Sequence, residues 1–149
     1  MNIGDVTEAA FIYHATLRGY EVFLPVSHHT KTDVAIRTNG SDLVNIQIKK
    51  GAKQNLPEHY AQRWKFLLGS GLPSAARSKK DNARADNKPR YNLYTEGDFH
   101  VLAAYIMELD TWAFYELTEV IGNASKSWTP KNGPHNNWDL FDKLFAEKS

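Results

Sequence analysis

The sequence predicts an α/β fold: a mixed central β-sheet flanked by α-helices. Three observations predict it. Amphipathic helical patterns stand near both ends of the chain. Three short, alternating strand patterns follow the first helix. A run near residue 100 is apolar on both faces, as a strand covered on two sides must be.

The elements read as follows. Asp5-Val-Thr-Glu8 has the spacing of a capping box, and Val6, Ala9, Ala10, Tyr13, Thr16 and Leu17 recur at helical spacing up to the stop signal Gly19, predicting a helix over about 5–18. Tyr20–Pro25 reads as a strand closed by proline, and residues 26–32 as a polar loop. Asp33–Thr38 and Leu43–Lys49 read as two strands joined by a tight turn at Asn39-Gly40. In the second of these, Val44, Ile46 and Ile48 point one way and Asn45, Gln47 and Lys49 the other. Asn55-Leu-Pro-Glu58 resembles a helix start, with Tyr60, Trp64, Leu67 and Leu68 on one helical face and Gly69 ending it. Gly69 to about Pro89 has no periodicity and reads as a long loop. Regular structure resumes at Tyr91–Tyr94. Phe99–Met107 is the doubly apolar strand; a turn at Glu108–Thr111 returns the chain through Trp112–Leu117. Residues 122–137 are rich in Asn, Gly and Pro, and a helix near 138–146 offers Trp138, Phe141, Leu144 and Phe145 as its apolar face.

Composition narrows the function classes. At 149 residues, 42% of them hydrophobic, the chain suits one domain, residues 1–149, with a basic insertion at about 51–90. Cysteine is absent, which excludes disulfides, thiolate metal sites and cysteine nucleophiles. No apolar run approaches the ~20 residues of a membrane helix, and the first residues lack the pattern of a signal peptide. The expectation is an intracellular, cytoplasmic protein with no membrane partner. Net charge is +1, but unevenly spread: residues 49–90 hold 11 basic and 3 acidic residues, a net +8, leaving 7 basic and 14 acidic elsewhere, a net −7. Such a segment suits a polyanion. Lys31, Lys50, Lys53, Arg77, Lys79, Lys80, Arg84, Lys88 and Arg90 are the candidate contacts to such a polyanion, each favouring binding through phosphate, if it is a nucleic acid, without reading sequence.

The chemistry concentrates at the paired strands. Asp33 opens one, and Gln47-Ile48-Lys49 ends the other, so a hairpin can bring them together at one edge of the sheet, with Glu8 on the preceding helix. Phosphodiester hydrolysis needs charge neutralisation on the phosphate, an activated water and in-line placement. Carboxylate oxygens suit Mg²⁺, which takes few protein ligands and keeps several waters. His28-His29 precede Asp33, but the absence of cysteine and the scarcity of nearby carboxylates argue against zinc, and a loop touching phosphate or base fits them as well. Trp64 reads as core or interface and Trp112 as core. Asp98 and His100, near a strand start, receive no role.

In these residues the sequence resembles the PD-(D/E)XK nuclease superfamily. The matching stretches are Gly4-x-x-Thr7-Glu8, Gly19-Tyr20-x-Val22-x-x-Pro25, Thr32-Asp33-Val34 and Ile46-Gln47-Ile48-Lys49. Glu96-Gly97-Asp98-Phe99, Ala103-Ala104-Tyr105 and Asp110-Thr111-Trp112 look like the later paired strands of its smaller members. The likeness is greatest to the small bacterial group I intron-encoded homing endonucleases, and more distant to Holliday junction resolvases. It implies a restriction-endonuclease-like core with a catalytic set of Glu8, Asp33, Gln47 and Lys49. Asp33, Glu8 and the Ile48 carbonyl would be the ligands of Mg²⁺, or of Mn²⁺ in its place. Lys49 would orient or deprotonate the attacking water. Gln47 departs from the family pattern, which has a second carboxylate there. Its neutral carbonyl oxygen is a weaker ligand and removes one negative charge.

The implied function is site-specific cleavage of double-stranded DNA by a homing endonuclease, phage-encoded or bacterial. Cutting both strands with one site per chain calls for a homodimer or homotetramer. Two other readings follow from the same residues: a structure-selective nuclease of the Holliday-junction type, and a non-catalytic DNA-binding module on a decayed nuclease fold.

Overall fold

Thr7, Phe11 and Ala15 recur every fourth residue and are buried, and they form the inner stripe of α1 (Ile3–Leu17) in the computed structural model, which describes residues 3–26, 31–68, 70–71 and 91–147. Asp5 lies within the first turn of α1 rather than at its cap. The helix ends in a Schellman turn: Tyr20 N–H donates to Ala15 O at 3.2 Å and Gly19 N–H to Thr16 O at 3.0 Å, with Gly19 at φ +83°.

The chain then runs through β1 (Glu21–Phe23), β2 (Val34–Arg37) and β3 (Val44–Lys50), each antiparallel to the next. Asn39 and Gly40 both have positive φ, 47° and 75°, and Ser41 N–H closes the turn on Thr38 O at 2.9 Å. That is the geometry the Asn-Gly pair favours, and its twist matches that of the strands. β8 (Val101–Ile106) lies parallel to β3, with Ile46 beside Val101 and Lys49 beside Ala104. β9 (Thr111–Glu116) returns antiparallel, giving a five-stranded mixed sheet in the order β1-β2-β3-β8-β9. Every residue of β8 is buried, as its two-sided apolar pattern requires.

Each face of this sheet has its own core. On one, α1 and α3 (Asp139–Glu147) bury Val34, Ile36, Val44, Ile46 and Ile48 among aromatic side chains. Phe11 meets Trp112 edge-on at 5.5 Å between ring centres and stacks on Trp138 at 5.8 Å. Trp138, Phe141, Leu144 and Phe145 all turn inward here, as the sequence predicts.

The other face is covered by a smaller sheet of β10 (Ser125–Trp128), β5 (Trp64–Leu67) and β4 (Ala52–Lys53), in that order. The helix expected over residues 55–69 is not formed: residues 64–67 are a strand. Trp64, Phe66 and Leu68 point inward at 3%, 0% and 0% exposure, while Leu67 stands 60% exposed. A period of two outcompetes the helical match because β5 finds partners on both sides, Trp64 lying between Lys53 and Trp128. β10 itself arises in the segment whose Asn, Gly and Pro content hid it. Gly51 lets the chain pass from β3 into β4. A Cβ there would sit 2.6 Å from the Phe66 ring. α2 (Leu117–Val120), begun by a Glu116–Glu119 capping box, follows β9. A two-stranded ribbon pairs β6 (Ser70–Gly71) with β7 (Tyr91–Asn92).

Candidate active site

β2 and β3 alternate inward and outward in step. With Val34, Ile36, Ile46 and Ile48 facing the helices, Asp33, Ala35, Asn45, Gln47 and Lys49 belong to the opposite face. Asp33 is fastened to β3 at two points. Its N–H donates to Ile46 O at 2.8 Å, and its Oδ2 accepts the Ile48 N–H at 2.7 Å. The carboxylate thus stands over the stretch of β3 that carries Gln47. Lys49 is near enough for the two charges to act on each other. All three side chains are half-buried.

Burial shifts both charged groups. It raises the Asp33 carboxyl above the ordinary value, against the pull of the Ile48 N–H and the Lys49 ammonium. It lowers the Lys49 ammonium, against the pull of Asp33. Each is thus held in a setting that disfavours its own charge and favours its partner's, a feature common at functional sites.

Glu8 comes from α1, which packs along β1 and β3. It stands half-buried beside the Thr7–Phe11–Ala15 stripe. Among the described residues, no three His, Cys, Asp or Glu side chains gather as a ready metal site. Position 47, between Asp33 and Lys49 on this face, carries a neutral amide rather than a carboxylate. The donors that remain are oxygens, which fits a hard cation taking one or two carboxylates and keeping its waters.

An open, mostly apolar cleft of about 390 Å³ lies beside the site, lined by Phe23, Pro25, Thr32, Ala35, Leu43 and Asn45. A larger one, about 630 Å³, lies off β9 near Arg63, Tyr115 and Lys126, away from Asp33.

The expected DNA contacts divide into three groups. Lys31 is ion-paired with Asp98 at 3.2 Å. Lys50 and Lys53 flank Glu108, whose carboxyl lies below its ordinary value through a backbone hydrogen bond, the Trp64 indole N–H at 3.0 Å and these two lysines. Arg77, Lys79, Lys80, Arg84, Lys88 and Arg90 lie outside the described residues, as do His28 and His29.

Two residues without a role in the sequence reading hold the site's frame. The His100 backbone N–H donates to Asn45 O at 2.8 Å, and its Nδ1 accepts the Asn45 N–H at 2.8 Å, joining β8 to the start of β3. Asp98 grips the residues just before Asp33. The one signal for it was the Thr95-Glu-Gly-Asp98 turn, in which Gly97 takes φ +90°.

Residues 1–137 match the family model described as PD-(D/E)XK endonuclease. The chain belongs to the PD-(D/E)XK endonuclease family. Its mixed five-stranded sheet between helices fits that fold. Nucleases of the family generally use divalent metal ions and act on DNA. Among solved structures, the chain is similar to the bacterial homing endonuclease I-Ssp6803I, at 18% identity and a TM-score of 0.67, with 97% of this chain and 91% of that one covered. At that identity the likeness establishes the fold. No curated protein matches the chain. No helix among the described residues is long and apolar enough to cross a membrane.

Proposed function

We propose that this PD-(D/E)XK nuclease is a homing endonuclease that hydrolyses phosphodiester bonds of double-stranded DNA with Mg²⁺, or Mn²⁺ in its place. The carrying observation is the Asp33 carboxylate, pinned on the Ile48 N–H and paired through space with the half-buried Lys49. Asp33, Glu8 and the Ile48 carbonyl would hold the ion. When bound, it supplies charge neutralisation on the phosphate and a more acidic water.

The protein's own groups complete the chemistry. Lys49, its proton less tightly held because of burial, orients the attacking water and donates a hydrogen bond to the developing charge. Gln47 offers an amide oxygen with no charge, so the site runs on two carboxylates. The Ile48 N–H fixes one oxygen of Asp33 and thereby the direction of the other. A single chain of this kind carries one site, and cutting both strands takes a homodimer or homotetramer. The fold shared with a homing endonuclease supports that reading of the substrate.

The test is nicking of plasmid and long linear duplex DNA in Mg²⁺ by the wild type, Asp33→Ala and Lys49→Ala. Cleavage at one long site by the wild type, with a loss of at least ~100-fold in both variants while DNA binding persists, is expected. Full activity in both variants removes the site assignment. Cleavage of four-way junctions but of no linear duplex makes the enzyme a structure-selective nuclease. Binding without any nicking makes it a decayed, DNA-binding member of the family.

A further inference from the structure

Asp33 does its work only if the chain before it is held still, and the structure shows what holds it. Thr95-Glu-Gly-Asp98 forms a turn closed by Asp98 N–H on Thr95 O at 3.2 Å, with the Thr95 N–H donated back to Asp98 Oδ2 at 2.8 Å. Tyr94 and Phe99 flank this turn and are buried edge-to-face at 4.7 Å, which roots it in the core under the small sheet. From that rooted turn, Asp98 reaches the segment leading to Asp33. Its Oδ2 takes the Lys31 ammonium at 3.2 Å, and its backbone carbonyl accepts the Thr32 hydroxyl at 3.3 Å.

We infer that Asp98 is a positioning residue of the nuclease site, and that Lys31 serves as its tether rather than as a phosphate contact. Asp98 touches none of the reacting groups. It clasps residues 31 and 32, so that Asp33 enters β2 with its carboxylate seated on the Ile48 N–H. Partners that orient a metal-binding carboxylate commonly matter nearly as much as the ligand itself. The inference rests on the proposed function for its catalytic consequence, but the seating of Asp33 can be read without catalysis.

The Ile48 amide makes that possible, because its hydrogen bond ends on the Asp33 side chain. Hydrogen exchange at Ile48 therefore reports whether Asp33 is seated. Two variants break the clasp from opposite ends. Asp98→Asn keeps an oxygen for the Thr95 N–H and removes the charge; Lys31→Met leaves the turn untouched. In both, Ile48 exchange should quicken and Mn²⁺ affinity, read by paramagnetic broadening, should fall about 10-fold. The kcat for nicking should fall with them, while KM for DNA stays within about 2-fold. The double variant should be no worse than either single one.

Unchanged Ile48 exchange and Mn²⁺ affinity in both variants would overturn the inference. So would a rise in KM and a shallower salt dependence on Lys31→Met with kcat intact, since that marks a phosphate contact. If the wild type nicks no DNA, the nuclease reading fails, and Ile48 exchange still decides the part played by Asp98. If Asp98→Asn fails to fold, Lys31→Met decides it.

Discussion

The two edges of the five-stranded sheet are finished in opposite ways. At β9 the outward backbone groups are taken by the chain itself. The Asn136 side chain accepts the Trp112 N–H at 2.9 Å, and the Asn137 side chain both accepts the Phe114 N–H and donates to its carbonyl, each at 2.9 Å. Two asparagines thus stand in for a further strand along that edge. At the other edge, β1 is three residues long, guarded by the Glu21–Arg37 ion pair at 3.3 Å and left with Phe23 and Leu24 exposed. The candidate site lies towards this second edge, on β2 and β3. Closure and apolar packing gather where no chemistry is assigned, and half-buried charge gathers where it is. The proposed site occupies the part of the sheet that packing leaves incomplete.

Breaking the closed edge should have the largest effect. Asn137→Leu leaves the N–H and C=O of Phe114 without partners beside a fully packed core, at about 1–3 kcal/mol for each group. Urea denaturation should show that loss. A change under about 0.5 kcal/mol would mean that water reaches the edge and that the seal is only apparent.

Simplifying the site should move stability the other way, and by less. Asp33→Asn with Lys49→Met removes two charges that burial disfavours, while an oxygen remains for the Ile48 N–H. We expect a gain of about 1 kcal/mol, at the low end for a paired buried charge because both groups stay partly exposed, together with loss of cleavage. A clear loss of stability would show the pair to be structural.

The smallest effect concerns acid. Burial works against the Asp98 charge, but the Thr95 N–H and Lys31 outweigh it and hold the carboxyl below its ordinary value. A depressed carboxylate contributes stability above its unfolded pKa, and that contribution disappears as pH falls through the folded value. The wild type should therefore lose stability over the lower part of the carboxylate range, and Asp98→Asn should flatten that limb in a pH series of Tm. Parallel curves would detach Asp98 from the fold's acid sensitivity.

How much of this was legible in the sequence depends on where each element finds its partners. α1, the β2–β3 hairpin and α3 carry their instructions locally, in apolar spacing, an Asn-Gly turn and an aromatic stripe. β8 declared itself because a strand buried on both faces has little room for polar residues. β5 did not: Tyr60, Trp64, Leu67 and Leu68 fit a helical face as well as Trp64, Phe66 and Leu68 fit a strand. The contest was decided by Trp128, 64 residues away. β10 was hidden for the same reason. Gln47 and Lys49 could be placed on one face from alternation alone and Asp33 brought to the same edge by the hairpin, whereas the grip of Asp98 on Lys31 and Thr32 spans more than 60 residues and leaves almost no local trace.

The Asn39-Gly40 corner governs more than its own four residues. Alternation lets a strand show only one of two sides, and this corner decides which side of β3 looks at Asp33. One residue gained or lost there would turn β3 over, sending Gln47 and Lys49 beneath the helices and Ile46 and Ile48 onto the half-buried face that carries Asp33. Surface corners are ordinarily where sequences drift most freely in length. In this molecule, a corner outside the proposed site keeps the count on which that site's assembly depends.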